Sequence, residues 1–439
     1  MKEQHRRKNL TVTILSLSLL TVMAGAAVAP ALSIIRTHFA DVNQLLVQMI
    51  ISVPALFIVL TNLIFPKLIA RFPSRTLLLF GLSLYTVGGA IAGLFDNIYV
   101  VLFFRALVGI GVGIIMPMST GLLSFYYTRD KQDKLMGYSS AMNQMGGAVA
   151  TLLSGVLAGI SWKYSFLVYL MGLISIVLCL RFLPNEYIGS ASPDRKNSNV
   201  HSHKDITPSA ASVSNPLQTQ TASEDIIKQM QADRQVMHSN RQKSVFTQYN
   251  SFIIAIFLLM VTFFIFPCEF ALETVKEGII PQQYISVIMS GMDLVAFLGG
   301  LSFVLIKKIA GRQTRIVAPL LFVLGYTFLA FDGGWSGAIV GALFVGFANG
   351  LGIPYLIATA SKKAGRAAGS TVMPLLSAAL YLAQFLTPMI LSAVSNLLAS
   401  VQIAHLPYCI AFGFAVLFAV WSSFTICEDA FPDRESVRQ

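Results

Sequence analysis

Long apolar runs, separated by short polar segments, make up most of this chain. A helix that crosses a bilayer needs ~20 mostly apolar residues, and twelve runs meet that length. Six precede a polar stretch in mid-chain, at residues 10–35, 44–66, 76–95, 98–126, 135–160 and 163–184. Six follow it, at residues 249–272, 283–306, 316–333, 335–359, 368–395 and 404–427. The pattern predicts an all-α polytopic membrane protein with twelve transmembrane helices.

The first apolar run also has features of a signal peptide, because it follows four basic residues and contains several small residues. Its apolar core continues to Ile35, whereas the core of a signal peptide is about 7–15 residues long. We therefore interpret this run as an uncleaved first span.

The composition excludes several other classes of protein. Only 12% of the residues are charged and 55% are apolar, whereas a soluble globular protein has about 25% charged residues. So few charges cannot cover a water-facing surface. This excludes an ordinary soluble enzyme, a disordered chain and a nucleic-acid-binding domain.

The basic residues lie almost entirely on one side of the predicted membrane. With the N-terminus in the cytoplasm, 27 of the 31 Lys and Arg residues fall in inside segments, three fall in outside loops, and Arg105 lies within a span. This bias follows the positive-inside rule, and contact with lipid headgroups explains the net charge of +11 without nucleic acid. We expect a multi-pass protein of the plasma membrane with both termini in the cytoplasm. A count of eleven spans would place the C-terminus outside.

The two sets of six spans repeat each other at an offset of 237 residues. Identical residues recur in the loops after the second and eighth spans, and again in the fourth and tenth spans. The pairs are Leu68/Leu305, Ile69/Ile306, Arg75/Arg312, Val108/Val345, Gly109/Gly346, Gly113/Gly350 and Pro117/Pro354. The repeat predicts two six-helix bundles, 1–184 and 249–439, joined by a cytoplasmic linker, 185–248. Parallel repeats with a binding site between them at the bilayer midplane are a transporter architecture.

The loop between the second and third spans resembles the motif G-x-L-a-D-r-x-G-r-[RK] of the major facilitator superfamily. Leu68, Arg71 and Arg75 match the motif, whereas prolines occupy both glycine positions and Ala70 occupies the acidic position. The resemblance implies that the three matching residues, with Arg312 at the repeated position, act in the conformational change.

The fourth span resembles the superfamily's motif R-x-x-x-G-x-G, with Arg105, Gly109 and Gly111 in place. The fifth span carries glycines, but not the proline, of the motif G-x-x-x-G-P-x-x-G-G of drug antiporters. The chain thus resembles the 12-span drug:proton antiporters. This implies a two-bundle fold and a role for Arg105 in proton coupling near the central cavity. The alternative is an arginine that extends to the outer headgroups.

The linker between the bundles differs in composition from the rest of the chain. Residues 188–223 are rich in Ser, Asn, Thr and His and have no apolar period, which predicts a disordered tether. Thr221 and Glu224 form a capping-box pattern, which predicts a short helix after the tether.

Two acidic residues within spans are candidates for proton coupling. Asp293 lies ten residues into the eighth span, roughly 15 Å deep and near the midplane. Glu269 lies in the outer third of the seventh span, close to Pro267, which can bend the helix. We expect both acids to exchange protons, since a desolvated carboxyl favours its neutral form. The alternative for Asp293 is a structural hydrogen bond, for example to hydroxyls of the seventh span, and Glu273 is expected to be solvated.

Neutral polar residues at comparable depth are candidates for a substrate cavity. They are Asn143, Gln144, Asn349, Tyr381 and Gln384. Each could instead hold neighbouring helices together by hydrogen bonds.

Cysteine and histidine positions indicate no metal chemistry. The four cysteines form no C-x-x-C pair, and no histidine lies in the interior of an apolar segment, since His405 is at the edge of the last run. We expect no disulfide framework, no metal site and no cofactor.

The leading hypothesis is a proton-driven secondary transporter that exports lipophilic or amphipathic small molecules by alternating access. The cavity has few fixed charges, which favours such substrates. Proton-symport uptake of a small metabolite, and a transporter-like sensor without net transport, remain alternatives. No nucleophile constellation or P-loop is present in the sequence, so we expect neither an enzyme nor ATP as energy source. We expect a monomer whose partners are the substrate, protons and lipid.

Overall fold

A computed structural model describes residues 2–187, 249–278, 280–332, 334–398 and 404–425. Within these ranges the chain is helical and has no strand, which confirms the all-α class. The predicted tether and the short helix after Thr221 lie outside the described residues.

The helices follow the order of the apolar runs. The N-terminal set comprises α1 (Lys2–Ala26), α2 (Leu32–His38), α3 (Gln44–Arg71), α4 (Ser74–Ala92), α5 (Ile98–Tyr126), α6 (Arg129–Ala158) and α7 (Gly172–Phe182). The C-terminal set comprises α8 (Tyr249–Glu277), α9 (Gln282–Ala310), α10 (Thr314–Phe331), α11 (Trp335–Leu397) and α12 (Leu406–Thr425). Segments of 3-10 helix precede α2 (Ala29–Ala31), α7 (Trp162–Met171) and α10 (Gly311–Gln313).

Most of these helices are long and apolar enough to cross a membrane. Ten such segments occur among the described residues, and the segment Gln282–Phe331 contains both α9 and α10, which gives eleven spans. The remaining predicted span, α6, is long enough but not apolar enough to be counted, because its middle turns contain Asn143, Gln144 and several small polar residues. Helix α6 packs between α1 and α9, so its polar residues contact protein.

The structure differs from the predicted spans in three places. The first span is interrupted, because α1 ends at Ala26 and the chain passes through a 3-10 turn that contains Pro30. The sixth span begins as the 3-10 segment Trp162–Met171. The tenth and eleventh spans belong to one helical stretch, α11, whose backbone stays helical between Lys363 and Val372.

Interhelical hydrogen bonds mark two ends of the molecule. At the end that carries most basic residues, the Ser74 backbone N–H donates to the Glu186 carbonyl at 2.9 Å. At the other end, Asp96 accepts from Lys163 at 2.7 Å and lies 3.1 Å from the His38 ring nitrogen. We call these the basic end and the opposite end.

Glycines at repeated positions let helices approach closely in both sets. Gly109 and Gly113 of α5 contact α3, and Gly346 and Gly350 of α11 contact α9. A Cβ at Gly109 would lie 2.4 Å from a backbone oxygen of α3, and one at Gly350 would lie 1.9 Å from a backbone oxygen of α9. A side chain at either position would force the helices apart.

Several helices of the N-terminal set pack against helices of the C-terminal set. Helix α6 packs against α9, and α3 packs against α11. The candidate site residues lie along this boundary or next to it.

Candidate functional site

Asp293 lies on α9 at the boundary with α6. It is eleven residues from the start of α9, about 16 Å along the helix axis. The Thr151 hydroxyl of α6 donates to Asp293 Oδ2 at 3.0 Å. The carboxylate also lies against Gly147, where a Cβ would be 3.5 Å from Oδ2. The acid is thus bonded to the other helix set, and its hydroxyl donor lies on the fifth span rather than on the seventh span named in the structural alternative.

Further contacts hold α6 and α9 together around Asp293. The Ser290 hydroxyl donates to the Ala148 carbonyl at 3.0 Å. Gly155 provides the space for Ser286, since a Cβ at Gly155 would lie 1.9 Å from the Ser286 Cβ. Among the described residues Asp293 forms no ion pair. Its only charge-stabilising contact there is the neutral hydroxyl of Thr151.

Glu269 also bonds across the boundary. Gln48 of α3 donates through Nε2 to Glu269 Oε1 on α8. Both side chains are buried, at 2% exposure each. The second carboxylate oxygen, Oε2, has no hydrogen-bond partner within the described ranges. Like Asp293, Glu269 therefore depends on a neutral donor from the other helix set.

Glu273 is not solvated as expected from its position near the membrane interface. It is 7% exposed, and Lys276 lies 3.5 Å from its Oε1. The turn before α12 folds over this part of α8, where His405 Nδ1 lies 2.5 Å from Glu277 Oε1. One carboxylate oxygen each of Glu273 and Glu277 and one ring nitrogen of His405 all lie within 4.8 Å of one another. Glu277 and His405 are 128 positions apart in the sequence.

Arg105 is fully buried at 0% exposure within the N-terminal set. Its Nε donates to the Ile50 carbonyl at 2.6 Å. Its two terminal nitrogens donate to the Tyr169 hydroxyl and to the Ala24 carbonyl. The Tyr169 hydroxyl donates to the same Ala24 oxygen at 2.8 Å. The guanidinium therefore connects α5 to α1, to α3 and to the 3-10 segment before α7.

The two carbonyls that Arg105 binds lack partners inside their own helices. Pro54 has no N–H to donate to the carbonyl of Ile50, four residues earlier. Ala24 lies in the last turn of α1, where carbonyls have no intrahelical donor. Arg105 thus satisfies backbone groups freed by a proline and by a helix end. It does not extend to the outer headgroups, and within the described residues no carboxylate lies within ion-pair distance of it.

Asn143 belongs to a polar seam between α1 and α6. Its Oδ1 accepts from the Thr21 hydroxyl at 2.7 Å. The hydroxyls of Ser18 and Ser139, at 2.6 Å, continue the seam. Asn143 therefore holds two helices of one set together, and the neighbouring Gln144 is half-buried on α6.

Two of the predicted cavity residues lie on α11 against the N-terminal set. The Tyr381 hydroxyl donates to the Met116 sulfur of α5 at 3.0 Å. The Gln384 amide nitrogen lies 3.3 Å from the position of a Cβ at Gly25 of α1. Asn349 is 6% exposed, and its Oδ1 has no hydrogen-bond partner in the part of the chain that the structure describes. Tyr381 and Gln384 thus share the boundary with Asp293 and Glu269, whereas Arg105 and Asn143 do not.

The predicted loop residues lie at the basic end. Leu68 packs against the apolar core, and Arg71 at the end of α3 is exposed. Arg75 donates to the Leu180 carbonyl at 2.5 Å. Arg312 is exposed in the 3-10 turn before α10. The two loops therefore share basic residues at the same end, and the bond of Arg75 links the first of them to α7.

Thr151 and Gln48, the two donors to the boundary acids, are not among the residues predicted from the sequence. Both are single polar residues within apolar stretches, which is the signal that could have identified them. Cys179, Cys268 and Cys409 are unpaired, and Cys427 lies outside the described residues.

Two sets of membrane-length helices that meet along a boundary with two acidic side chains define a polytopic helical membrane protein. The sequence profile of the Major Facilitator Superfamily matches residues 14–388. The chain therefore belongs to the Major Facilitator Superfamily, which confirms the resemblance inferred from the motifs.

Individual relatives match only parts of the chain. Riboflavin transporter RibZ of Clostridioides difficile (strain 630) is 23% identical over 145 residues, which cover 33% of this chain and 32% of that protein. Multidrug resistance protein 3 of Bacillus subtilis (strain 168) is 26% identical over 121 residues, or 27% of this chain and 24% of that protein. The matched segments thus span about a third or less of these relatives.

A solved structure shares the whole fold. A D-xylose-proton symporter superposes with a TM-score of 0.70 at 15% sequence identity, over 96% of this chain and 98% of that chain. At this identity the likeness concerns the fold alone.

Proposed function

We propose that this protein is a proton-coupled secondary transporter of the plasma membrane that exports lipophilic or amphipathic small molecules by alternating access. The observation that carries the proposal is the pair of acids at the boundary, of which Glu269 is buried and Asp293 is half-buried. Glu269 and Asp293 each bond to a neutral donor of the other helix set. An acid in this position can gain or lose a proton as the boundary opens and closes.

Alternating access supplies the motion in this proposal. The bundles 1–184 and 249–439 move as two bodies, and residues 185–248 connect them. The hydrogen bonds of Glu269 and Asp293 connect the two bodies. When the bodies separate at the opposite end, the hydrogen bond closer to that end must break. Protonation changes the strength of these bonds and thereby couples proton binding to the motion.

The substrate class follows from the neutral character of the boundary. Tyr381 and Gln384 offer a phenol and an amide, and the surrounding side chains of α11 are mostly apolar. Such a surface suits molecules with few charges. The name of the Bacillus subtilis relative, a multidrug resistance protein, supports export of such compounds.

Uptake by proton symport is the second candidate. The name of the riboflavin transporter relative supports transport of a small metabolite. The two candidates differ in the direction of substrate movement relative to the proton gradient.

The orientation in the membrane is part of the proposal. The positive-inside rule assigns the basic end to the cytoplasm. In a cysteine-free background, Lys131→Cys should react with an impermeant thiol reagent only from the cytoplasmic side, and Asp41→Cys only from the outside. The reverse pattern would overturn the assigned orientation.

Transport by purified protein in liposomes tests the coupling. Fluorescent dyes and drugs are offered under pH gradients of either sign, with Asp293→Asn as the variant and the exposed Asp41→Asn as the control. Asn keeps an acceptor for the Thr151 hydroxyl, so the fold should persist. We expect Asp293→Asn to lose gradient-driven transport but to retain counterflow exchange. Gradient-driven transport equal to that of the parent would assign Asp293 a structural role.

A further inference from the structure

We propose, building on the proposed proton coupling, that protons reach Glu269 from the opposite end along three glutamates on one face of α8, with His405 at the entrance. The three are Glu269, Glu273 and Glu277. Residues four apart lie on the same helix face, and each step covers about 6 Å of helix axis. We call this row the α8 ladder.

Exposure rises along the α8 ladder from its inner end to its outer end. Glu269 is 2% exposed and Glu273 is 7% exposed. The side chain of Glu277 is 25% exposed, and that of His405 is 20% exposed. The ladder therefore leads from water to a fully buried carboxylate without leaving the helix face.

Two features meet at Glu277, the outer end of the ladder: the ring of His405 and a small cavity that His405 does not line. His405 Nδ1 lies 2.5 Å from Glu277 Oε1. A cavity of about 20 Å³ borders Glu277, Asp332 and Tyr408, and a site of this size with polar lining can hold one water. Histidine is the side chain that ordinarily exchanges protons between pH 5 and 8. Together these groups can pass a proton from bulk water to Glu277.

The inner end is suited to receive the proton. Glu269 Oε2 is buried and has no hydrogen-bond partner among the described residues, while Oε1 accepts from Gln48. The free oxygen is therefore the place where an arriving proton binds. Because Gln48 belongs to α3, the same carboxylate connects the ladder to the boundary between the helix sets.

Other titratable groups face the ladder and set its charge. Lys276 lies 3.5 Å from Glu273 but is 75% exposed, so it faces water on the flank of the ladder. Tyr408 of α12 stacks with His405 at a ring distance of 6.4 Å. Cys268 and Tyr326 are buried near Glu269. Apart from Lys276 and His405, no cationic side chain pairs with the ladder in the described residues.

The first test replaces His405 with glycine, a residue that fits the local backbone conformation. His405 has φ of 53°, a conformation that glycine adopts freely, so His405→Gly removes the imidazole without straining the turn. In liposomes with a pH-sensitive dye inside, His405→Gly should slow substrate-linked proton movement at least fivefold. Imidazole added on the outside should restore it. Counterflow exchange without a gradient should stay within twofold of the parent.

Glu273→Gln examines the middle of the ladder, with Glu273→Asp as the conservative variant. We expect Glu273→Gln to slow proton movement at least tenfold and Glu273→Asp to recover most of it. The exposed Asp41→Asn serves as the control. If Glu273→Gln misfolds, the imidazole rescue of His405→Gly still tests the route.

The outcomes separate the route from the coupling itself. Normal proton movement in His405→Gly and Glu273→Gln, together with failure of Asp293→Asn, would overturn the ladder and leave proton coupling in place. Normal gradient-driven transport in all of these variants would overturn the coupling proposal as well.

Discussion

The two helix sets differ in where the hydrogen-bond partners of their ionisable side chains lie. In the N-terminal set the cation Arg105 is satisfied within the set, by carbonyls of α1 and α3 and by Tyr169. In the C-terminal set the acids Glu269 and Asp293 each accept one hydrogen bond from across the boundary, from a neutral donor. The contrast suggests that a charge that must remain fixed is held inside one body, whereas a charge that must change is placed between two.

Arginine and the carboxylates suit these two tasks for chemical reasons. A guanidinium stays protonated in proteins and presents several donors in a rigid plane, so it can hold freed carbonyls permanently. A carboxylate can lose its charge by binding a proton. Each set therefore uses the ionisable group whose chemistry matches the role of its location.

The largest expected effect is that of Arg105→Lys. An ammonium cannot reach the Ile50 carbonyl, the Ala24 carbonyl and the Tyr169 hydroxyl at once, and it leaves buried acceptors without donors. We expect a loss of about 2–4 kcal/mol in the free energy of unfolding. Thermal unfolding in detergent measures it, with the exposed Arg181→Lys as the matched control. Equal melting temperatures for both variants would contradict the role assigned to the buried arginine.

A second substitution isolates one of the three bonds of Arg105. Pro54→Ala restores an N–H that can donate to the Ile50 carbonyl within α3. In that background Arg105→Lys should cost about 1 kcal/mol less. An unchanged cost would mean that the proline-freed carbonyl is not what the arginine stabilises.

The next effect compares repeated glycines of the two sets. Gly350→Ala would place a Cβ 1.9 Å from the Ala296 carbonyl, which cannot move without the helix. Gly113→Ala would place it 2.6 Å from the Thr61 Cβ, a smaller overlap that a slight separation of α3 and α5 relieves. We expect losses of about 3 and 1 kcal/mol respectively, measured by thermal unfolding. Gly413→Ala, with no atom within 4 Å, is the control and should not destabilise.

A smaller effect on stability should accompany Thr151→Val, which removes the donor to Asp293 and keeps the volume. The lost hydrogen bond is worth about 1 kcal/mol. Because Asp293 is no longer held against α6, gradient-driven transport should slow severalfold although the protein stays folded. Thr120→Val, at an exposed position of α5, is the control. Loss of stability without loss of transport would make this contact a packing feature.

The smallest effect is expected at the opposite end, outside the membrane. A hydrogen bond from Lys163 lowers the pKa of Asp96 below its ordinary value. A lowered pKa stabilises the folded state above the ordinary value, and the contribution disappears as pH falls through the folded value. Asp96→Asn should therefore lower the melting temperature slightly at pH 7, and the difference should shrink once the pH falls below about 4 and vanish below the lowered pKa of Asp96. A difference independent of pH would contradict this origin.

The fold follows from the sequence because the bilayer imposes its length on every apolar run. The position of Arg105 and of Asp293 along their own helices could also be predicted, by counting residues from the end of each apolar run. The hydrogen-bond partners of these residues could not be predicted by counting. Thr151 precedes Asp293 by 142 positions, and only the packing of α6 on α9 brings the two side chains together. The error at Glu273 has the same cause. Its distance from the helix end was correct, but the turn at His405 covers it.

The polarity of α6 has a consequence for how the protein is made. A segment with asparagine and glutamine in its middle turns partitions weakly into lipid on its own, and its two main partners emerge at different times. Helix α1 leaves the ribosome before α6, whereas α9 follows more than a hundred residues later. Until then the Thr151 hydroxyl and the Ala148 carbonyl lack the groups that will bind them. A chain that terminates after residue 187 would keep that polar face open to the bilayer, and we expect quality-control proteases to remove it faster than the full-length protein.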